Sequence, residues 1–383
     1  MHPLAMQRLS LEPEVLADCL AVGTGQGVTS LLALLPSAEA ARLPVLQQAC
    51  REAGVRLHGG VFPRLIDQAQ LVDDGVWLCP LSANTDGFLL PALDADPHRA
   101  GEQLADAATA ALARQAERGS QPCSTLLLIF DGQLAHIGSL VEQAYLLLEG
   151  RVRLLGINAG SESFQPSPCL FDADTFTAGG VLGLLLPDTV RSALSLQGTE
   201  VKELYTVTAS DRNRVARIDG RPAFEIYRDL VQRDHGVTLT SGNFYTHAVH
   251  YPLAVVRADD TVLYRIPVKL EDDGAITCIG EIPQFSLLSV LQAPALEQMQ
   301  CIELLDRALQ PQPPGGQLLL FYCAGRSLHF GAGTSQELSQ LQQRLQPACQ
   351  AGALVLGEVG NAKSWGYPMF YNGAMVGLGW DSA

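Results

Sequence analysis

The stretch Ser124-Thr125-Leu126-Leu127-Leu128-Ile129-Phe130 begins the pattern that decides the fold. It is a continuous apolar run of strand length, and a helical stretch near His136 to Leu148 comes after it. A second apolar run, Val152-Arg153-Leu154-Leu155-Gly156-Ile157, comes next, and two further strands around a turn end in Gly180-Val181-Leu182-Gly183-Leu184. This order predicts a β-α-β-β-β unit.

The same order occurs in two other parts of the chain. The copies contain a first strand, a helix, a second strand and a closing strand, at residues 29–35, 38–53, 55–60 and 75–78, and again at 317–322, 335–349, 353–358 and 373–378. Because repeated supersecondary units fix an architecture, and apolar strands need helices to cover them, we predict a mixed α/β (α+β) fold. The length of 383 residues predicts two sheet-and-helix halves, a first domain at 1–190 and a second at 191–383.

A glycine occupies the same place in each copy, at Gly59, Gly156 and Gly357, where the second strand ends. A turn with positive φ or a close backbone approach would explain these glycines structurally. A rim of strand ends that faces a ligand would explain them functionally. The sequence leaves both interpretations open.

Charge and cysteine content exclude several classes of function. With 25 basic and 40 acidic residues the net charge is −15, so nucleic acid and anionic membranes, which are also negative, are poor partners. The nine cysteines are scattered and never spaced C-x-x-C, which argues against zinc and against a disulfide framework. No apolar stretch approaches the ~18 residues of a membrane helix, and the first residues lack signal-peptide features. We therefore expect a cytoplasmic protein without membrane insertion.

Known catalytic motifs are missing from the sequence, which has no G-x-S-x-G, P-loop or H-E-x-x-H pattern. Cys323 and His329 could serve as a thiol and a base, but no acid or asparagine is placed to orient them. We predict a protein that is not an enzyme, and a thiol-dependent enzyme using Cys323 is the alternative.

Several motifs, in their order along the chain, carry a resemblance to a known family. They are Leu155-Gly156-Ile157-Asn158-Ala159-Gly160-Ser161-Glu162, Phe176 to Leu184, Ile218 to Tyr227, Tyr251 to Val255, Cys323-Ala324-Gly325-Arg326 and Leu356-Gly357-Glu358-Val359-Gly360. The chain resembles the FIST family, with FIST N and FIST C halves. The resemblance implies a sensory module that binds a small ligand, such as an amino acid or a relative. It also implies signalling through a separate histidine kinase or cyclic-nucleotide enzyme, with the oligomeric state, a homodimer included, left open.

The resemblance extends to stand-alone FIST proteins that bind haem and sense nitric oxide, and it implies haem as a cofactor here. The candidate axial ligand to the iron is His250, with His247 as the alternative, and the rings of Tyr245 and Tyr251 would pack on the porphyrin. In an extended segment only one of the two histidines would face a given pocket, whereas in a helix both would share one face. His58 and His329 are weaker candidates. Hydrogen-bonded histidines without a ligand are the simpler alternative.

Polar residues near the strand ends are candidates for a ligand pocket. They are Asn158, Ser161, Glu162, Glu358 and Arg326. An arginine can bind a carboxylate through two parallel hydrogen bonds, and a glutamate can accept from an amine, which would suit an amino-acid-like ligand. Structural ion pairs or turn hydrogen bonds are the alternative for each of them.

Overall fold

The computed structural model describes residues 5–82, 85–118, 123–187, 190–195, 201, 203–259, 261–296, 300–310, 316–361 and 367–380. It confirms the mixed α/β class and the three copies, and each copy has one strand more than predicted, so that the observed order is β-α-β-β-β-β with a second helix in the third copy. We call these copies, each with the edge strand and helix that precede it, the first, second and third units. Within the described residues, no helix combines the length and the apolar character that a membrane crossing requires.

The first and second units have the same order of elements. The first consists of β1 (Gln7–Leu9), α1 (Pro13–Gly25), β2 (Ser30–Pro36), the 3-10 helix η1 (Ser37–Arg42), α2 (Leu43–Ala53), β3 (Arg56–Phe62), β4 (Leu65–Asp67), β5 (Gln70–Val72) and β6 (Val76–Pro80). The second consists of β7 (Gly87–Leu90), α3 (Pro97–Glu117), β8 (Cys123–Asp131), α4 (Ile137–Leu148), β9 (Arg153–Ala159), β10 (Leu170–Asp172), β11 (Phe176–Thr177) and β12 (Val181–Pro187). The described part of the second unit lacks only a counterpart of η1.

The third unit is interrupted by an insertion. After β13 (Arg191–Ser195), the insertion contains β14 (Tyr205–Asp211), β15 (Arg214–Ile218), β16 (Arg221–Pro222), α5 (Ala223–His235), α6 (Phe244–Ala248), β17 (Leu253–Val256), β18 (Val262–Arg265), β19 (Pro267–Leu270), β20 (Ile276–Cys278) and β21 (Leu287–Val290). The unit resumes with α7 (Cys301–Leu309), β22 (Gln317–Cys323), α8 (Ala324–Phe330), α9 (Gly333–Leu345), β23 (Cys349–Val355), β24 (Glu358–Gly360), β25 (Met369–Tyr371) and β26 (Met375–Trp380). The insertion strands form a separate antiparallel sheet with its own apolar core.

The three units exchange their hairpins in a closed ring. In every unit the central strand (β2, β8 or β22) pairs in parallel with the next strand and antiparallel with the last one. The two strands between the second strand and the last strand of each unit form a hairpin that pairs with another unit. β4–β5 pairs with β23, β24–β25 pairs with β9, and β10–β11 pairs with β3. One sheet of each predicted half therefore contains strands of the other half, and the division at residue 190 stays a prediction.

A glycine in each second strand lies opposite a residue of the exchanged hairpin and close to the neighbouring strands. The facing pairs, glycine first, are Gly59 with Phe171, Gly156 with Val359 and Gly352 with Ile66. A Cβ at Gly352 would lie 1.8 Å from the Leu320 carbonyl oxygen, a distance that no backbone tolerates. Close backbone approach therefore explains these glycines, and none of them has a positive φ.

In the third copy, the predicted end of the helix and the predicted start of the second strand are wrong. α9 ends at Leu345 instead of 349, because Gln346 adopts a left-handed conformation with φ of 47° and Pro347 cannot continue the helix. Cys349 already belongs to β23, so the strand begins four residues before the predicted start at 353. The glycine equivalent to Gly156 is consequently Gly352, and the predicted equivalence of Gly357 is wrong.

The inner faces of the three unit sheets share one apolar core. Leu34, Ile157 and Phe321, one from each unit, are fully buried in it. The rings of Phe62 and Phe321 lie 6.1 Å apart where the first and third units meet. Because this core joins all three units, they form one frame, and the insertion packs against that frame from outside.

Candidate functional site

A small cavity lies between the insertion and the third unit. The insertion contributes Val249, Pro252, Tyr264, Ile266 and residues 291–294, which we call the interface loop. The third unit contributes Gly325, Arg326, His329 and Phe330 from α8, together with Asn372 and Gly373. The cavity has a volume of about 50 Å³ and is partly open to solvent.

Two histidines connect the two sides of this interface. Nδ1 of His250, in the insertion, lies 2.7 Å from Nδ1 of His329, in α8. The other ring nitrogen of His329, Nε2, lies 3.0 Å from the carbonyl oxygen of Pro294. The Ala293 N–H donates to the His250 carbonyl oxygen at 2.8 Å. The interface loop is therefore tied to both histidines.

His250 lies just after a short helix and not in an extended segment. α6 ends at Ala248, and the His250 N–H donates to the His247 carbonyl oxygen at 2.9 Å, which continues the helical turn. Of the two geometries that the sequence left open, the helical one is therefore observed. His250 is half-buried, and so is His247.

Burial and nearby positive charge favour the neutral form of both interface histidines. Desolvation lowers the pKa of His250, and the neighbouring His329 and His247 lower it further. Desolvation also lowers the pKa of His329, an effect that the Pro294 carbonyl opposes and the charge of Arg326 reinforces. An N–H···N hydrogen bond between two imidazoles requires that the accepting ring be neutral.

Arg326 is held in a buried ion pair with Glu337 of α9. Its Nε donates to Glu337 Oε2 at 2.9 Å, and a second guanidinium nitrogen donates to Oε1. The remaining nitrogen donates to the Gly373 carbonyl oxygen at 3.1 Å, and the Tyr322 hydroxyl donates to the same carboxylate. Arg326 therefore forms part of the cavity wall with its charge already paired, and binding of a ligand carboxylate by this residue stays a prediction.

Cys323 lies beneath the cavity and does not line it. The residue is 1% exposed, and burial raises the pKa of its thiol far above the ordinary range, with the neighbouring Glu358 raising it further. Its Sγ accepts from the Gly373 N–H at 3.1 Å. In the second unit Asp131 occupies the same position and accepts from the Gly179 N–H at 2.6 Å. The shared hydrogen bond gives Cys323 a structural explanation and lends no support to thiol chemistry.

Glu358 is a buried acid at a position where the other units carry leucine. Its equivalents by strand register are Leu65 and Leu170. Burial raises the pKa of Glu358 to about 8. Oε2 accepts from the Ala374 N–H at 3.2 Å, whereas Oε1 has no hydrogen-bond partner among the described residues. A polar departure from an apolar repeat position is typical of a functional residue.

The other predicted site residues do not line the cavity. Asn158, in β9, is fully buried, and neither atom of its amide group has a partner in the part of the chain that the structure describes. Ser161 lies in the loop after β9. Tyr245 is 41% exposed and packs edge-on against Phe164, with ring centroids 6.1 Å apart. Tyr251 is buried in the core of the insertion.

Haem does not fit this arrangement. The cavity of about 50 Å³ is too small to enclose a porphyrin. His250 is not part of its lining, and both ring nitrogens of His329 are already hydrogen-bonded. His58 lies in β3 of the first unit, where burial lowers its pKa to about 4. Haem ligation by His250 or His247 stays a prediction.

Two parts of the site have no signal in the sequence. Glu337 is an ordinary acid in an amphipathic helix, and Leu291-Gln292-Ala293-Pro294 matches no motif. Glu358 does have a signal, because it interrupts an apolar pattern that the other two units keep. His329 is a weaker candidate in the sequence, and the structure places it at the centre of the interface.

Two family models match the chain. The FIST N domain matches residues 30–221, and the FIST C domain matches residues 223–361. A comparison with curated proteins gave no match. The matched regions cover most of the first unit, the second unit, the insertion and most of the third unit. The chain therefore belongs to the FIST family, whose domains are associated with sensing small ligands in signal transduction.

Proposed function

We propose that this protein is a sensor in which a small molecule binds at the interface between the insertion and the third unit. The main support is the apolar cavity beside the His250–His329 hydrogen bond. The small cavity suits a short apolar group, and the polar part of such a ligand would lie at the mouth, near Gln292 and His329. A small amino-acid-like metabolite has this shape.

The interface loop offers a route from binding to signalling. It continues directly from β21, which pairs with both β14 and β17 in the sheet of the insertion. A ligand that enters the cavity displaces the loop from His329, and the displacement reaches this sheet. We propose that the sheet contacts a separate signalling enzyme in the cytoplasm, a histidine kinase or a cyclic-nucleotide enzyme.

The proposal is tested by ligand screening on the purified protein. Thermal unfolding is followed with each of the common amino acids and related amines, and hits are confirmed by calorimetry. A ligand at one hundred times its Kd adds about 2.7 kcal/mol to the free energy of unfolding, which gives a clear rise in Tm.

A variant that fills the cavity identifies the binding site. Ala293→Phe places a ring at the cavity and should abolish stabilisation by the ligand, because Ala293 lines that space. Ala113→Phe adds the same ring on the exposed side of α3 and should leave binding unchanged. Binding that survives Ala293→Phe would place the ligand elsewhere.

Haem forms the second arm of the experiment. The protein is titrated with haem, and the absorption spectrum is recorded for the wild type, His250→Ala and His247→Ala. A sharp Soret band that one of these substitutions removes would replace the metabolite proposal with haem sensing. Without a Soret band and without stabilisation by any metabolite, the sensor proposal fails.

A further inference from the structure

The hydrogen bonds at the interface determine which ring nitrogens carry hydrogen. The Pro294 carbonyl oxygen only accepts hydrogen bonds, so Nε2 of His329, 3.0 Å away, must carry the hydrogen. In a neutral imidazole the other nitrogen is then an acceptor, and His329 Nδ1 accepts from His250 Nδ1–H across 2.7 Å. By the same rule, His250 Nε2 carries no hydrogen and is an acceptor.

The surroundings of the two rings support this neutral chain of hydrogen bonds. Arg326, on the same helix as His329, disfavours a second positive charge there, and His247 does the same for His250. The Ala293 N–H, bonded to the His250 carbonyl oxygen, holds the neighbouring Pro294 carbonyl in place. The backbone of the interface loop thus orients His329, and His329 orients His250.

We propose that His329 is a positioning residue that holds His250 as its Nδ1–H tautomer, so that His250 Nε2 is a hydrogen-bond acceptor at the insertion interface. A ligand that contacts this nitrogen must bring an N–H or O–H donor. Such a contact would favour an amine or a hydroxyl group over a carboxylate. This ligand class rests on the proposed function, whereas the tautomer does not.

Nitrogen-15 NMR of the histidine rings reads the tautomer without any ligand. In water, free histidine side chains favour hydrogen on Nε2, so the opposite tautomer at His250 is diagnostic. At pH 8 we expect Nδ1–H for His250 and Nε2–H for His329, with the signals assigned from His250→Gln and His329→Asn. His98→Gln, at the exposed start of α3, is the control that should leave both unchanged.

Two substitutions at one position separate positioning from packing. His329→Leu removes the acceptor and should return His250 to the mixture of tautomers seen in water. His329→Asn places an amide oxygen where Nδ1 was and should restore the Nδ1–H form. A wild-type protein with Nε2–H at His250, or a His329→Leu variant that keeps the Nδ1–H form, would overturn the proposal.

The ligand class is tested with two probes that share an isopropyl group, isobutylamine and isobutyrate. The amine should shift the His250 Nε2 resonance and bind about tenfold more tightly than the carboxylate, the effect of one hydrogen bond. Equal binding, or a preference for isobutyrate, would overturn the ligand class alone. If neither probe binds while the tautomer is as expected, the proposed function loses its support and the positioning role of His329 stands.

Discussion

The second and third units are built alike at the end of their central strands. The Asp131 N–H donates to the Gly180 carbonyl oxygen at 3.1 Å, and the Cys323 N–H donates to that of Ala374 at 3.3 Å. In both units, the glycine of the turn before the last strand also donates its N–H to the side chain at this position. The backbone frame is therefore the same even where the side chains differ.

The helix that follows the central strand differs between the two units. In the second unit it is α4, and Glu281 of the insertion accepts from the Ser139 N–H at 2.8 Å near the start of that helix. In the third unit it is the extra helix α8, and the insertion leaves the cavity between itself and α8. The repeated frame is therefore common to the units, whereas the candidate site is found where the insertion meets α8 of the third unit.

The largest loss of unfolding free energy is expected for a substitution inside the repeated frame. Gly352→Ala places a Cβ 1.8 Å from the Leu320 carbonyl oxygen, inside a paired strand that cannot move. We expect the variant to lose more than about 4 kcal/mol of unfolding free energy, or not to fold. Gly156→Ala, at the equivalent position of the second unit, meets its nearest atom at 3.1 Å and should lose about 1–2 kcal/mol. Urea unfolding of both variants measures the difference, and equal losses would contradict the register argument.

The next prediction concerns the ion pair that is specific to the third unit. Glu337→Gln leaves Arg326 buried without its counter-charge, and we expect a loss of about 3 kcal/mol, because breaking a buried pair leaves the remaining ion in an apolar environment. The same change in the exposed pair of Glu303 with Arg307 should cost less than about 0.5 kcal/mol. Denaturant midpoints at constant slope provide the measurement. Similar losses for the two variants would show that the buried pair is not structurally important.

The repeated frame could be predicted from the sequence because apolar runs and helical spacing are local signals. The run at residues 124–130 corresponds closely to β8, and its counterparts in the other units have the same signal. The hairpin exchange could not be predicted, since pairing between β4 and β23 depends on contacts between distant parts of the chain. The start of β23 was misplaced because Gln346, not a glycine, ends the helix.

The candidate site was harder to predict than the frame. The segment at 244–252 does contribute to the interface, through Val249 and His250. His329, the hydrogen-bond partner of His250, lies 79 residues away in sequence, and no local sequence pattern connects the two. The cavity lies where the insertion meets the third unit, so no single sequence motif marks it.

A substitution at Glu358 should increase the free energy of unfolding, by less than the losses predicted above. Glu358→Leu restores the residue type that the other two units carry and should raise the free energy of unfolding by about 1–2 kcal/mol at pH 7, because it removes a buried acid with an unpaired oxygen. A loss of stability would show that Glu358 makes a hydrogen bond that matters more than its burial.

The pH dependence of this gain has a definite sign. Glu358 has a pKa of about 8 in the folded protein and an ordinary value near 4.5 when unfolded. Between these values the folded state binds more protons, so this group's contribution to stability is complete below pH 4.5 and is lost as the pH rises towards 8. The advantage of Glu358→Leu over the wild type should therefore grow from pH 5 to pH 8. An advantage that shrinks over this range would contradict the raised pKa.

The smallest losses of unfolding free energy are expected for substitutions at Cys323 and Asp131, the equivalent residues at the ends of β22 and β8. Cys323→Ser keeps an acceptor for the Gly373 N–H and should cost no more than about 1 kcal/mol, and Asp131→Asn should behave similarly in the second unit. Cys323→Ala, which removes the acceptor, should cost more than Cys323→Ser. Calorimetric unfolding ranks the three variants. Because a thiol nucleophile cannot be replaced by a hydroxyl without loss of activity, a serine variant that folds normally but loses ligand-dependent behaviour would show that the sulfur of Cys323 does more than anchor the turn.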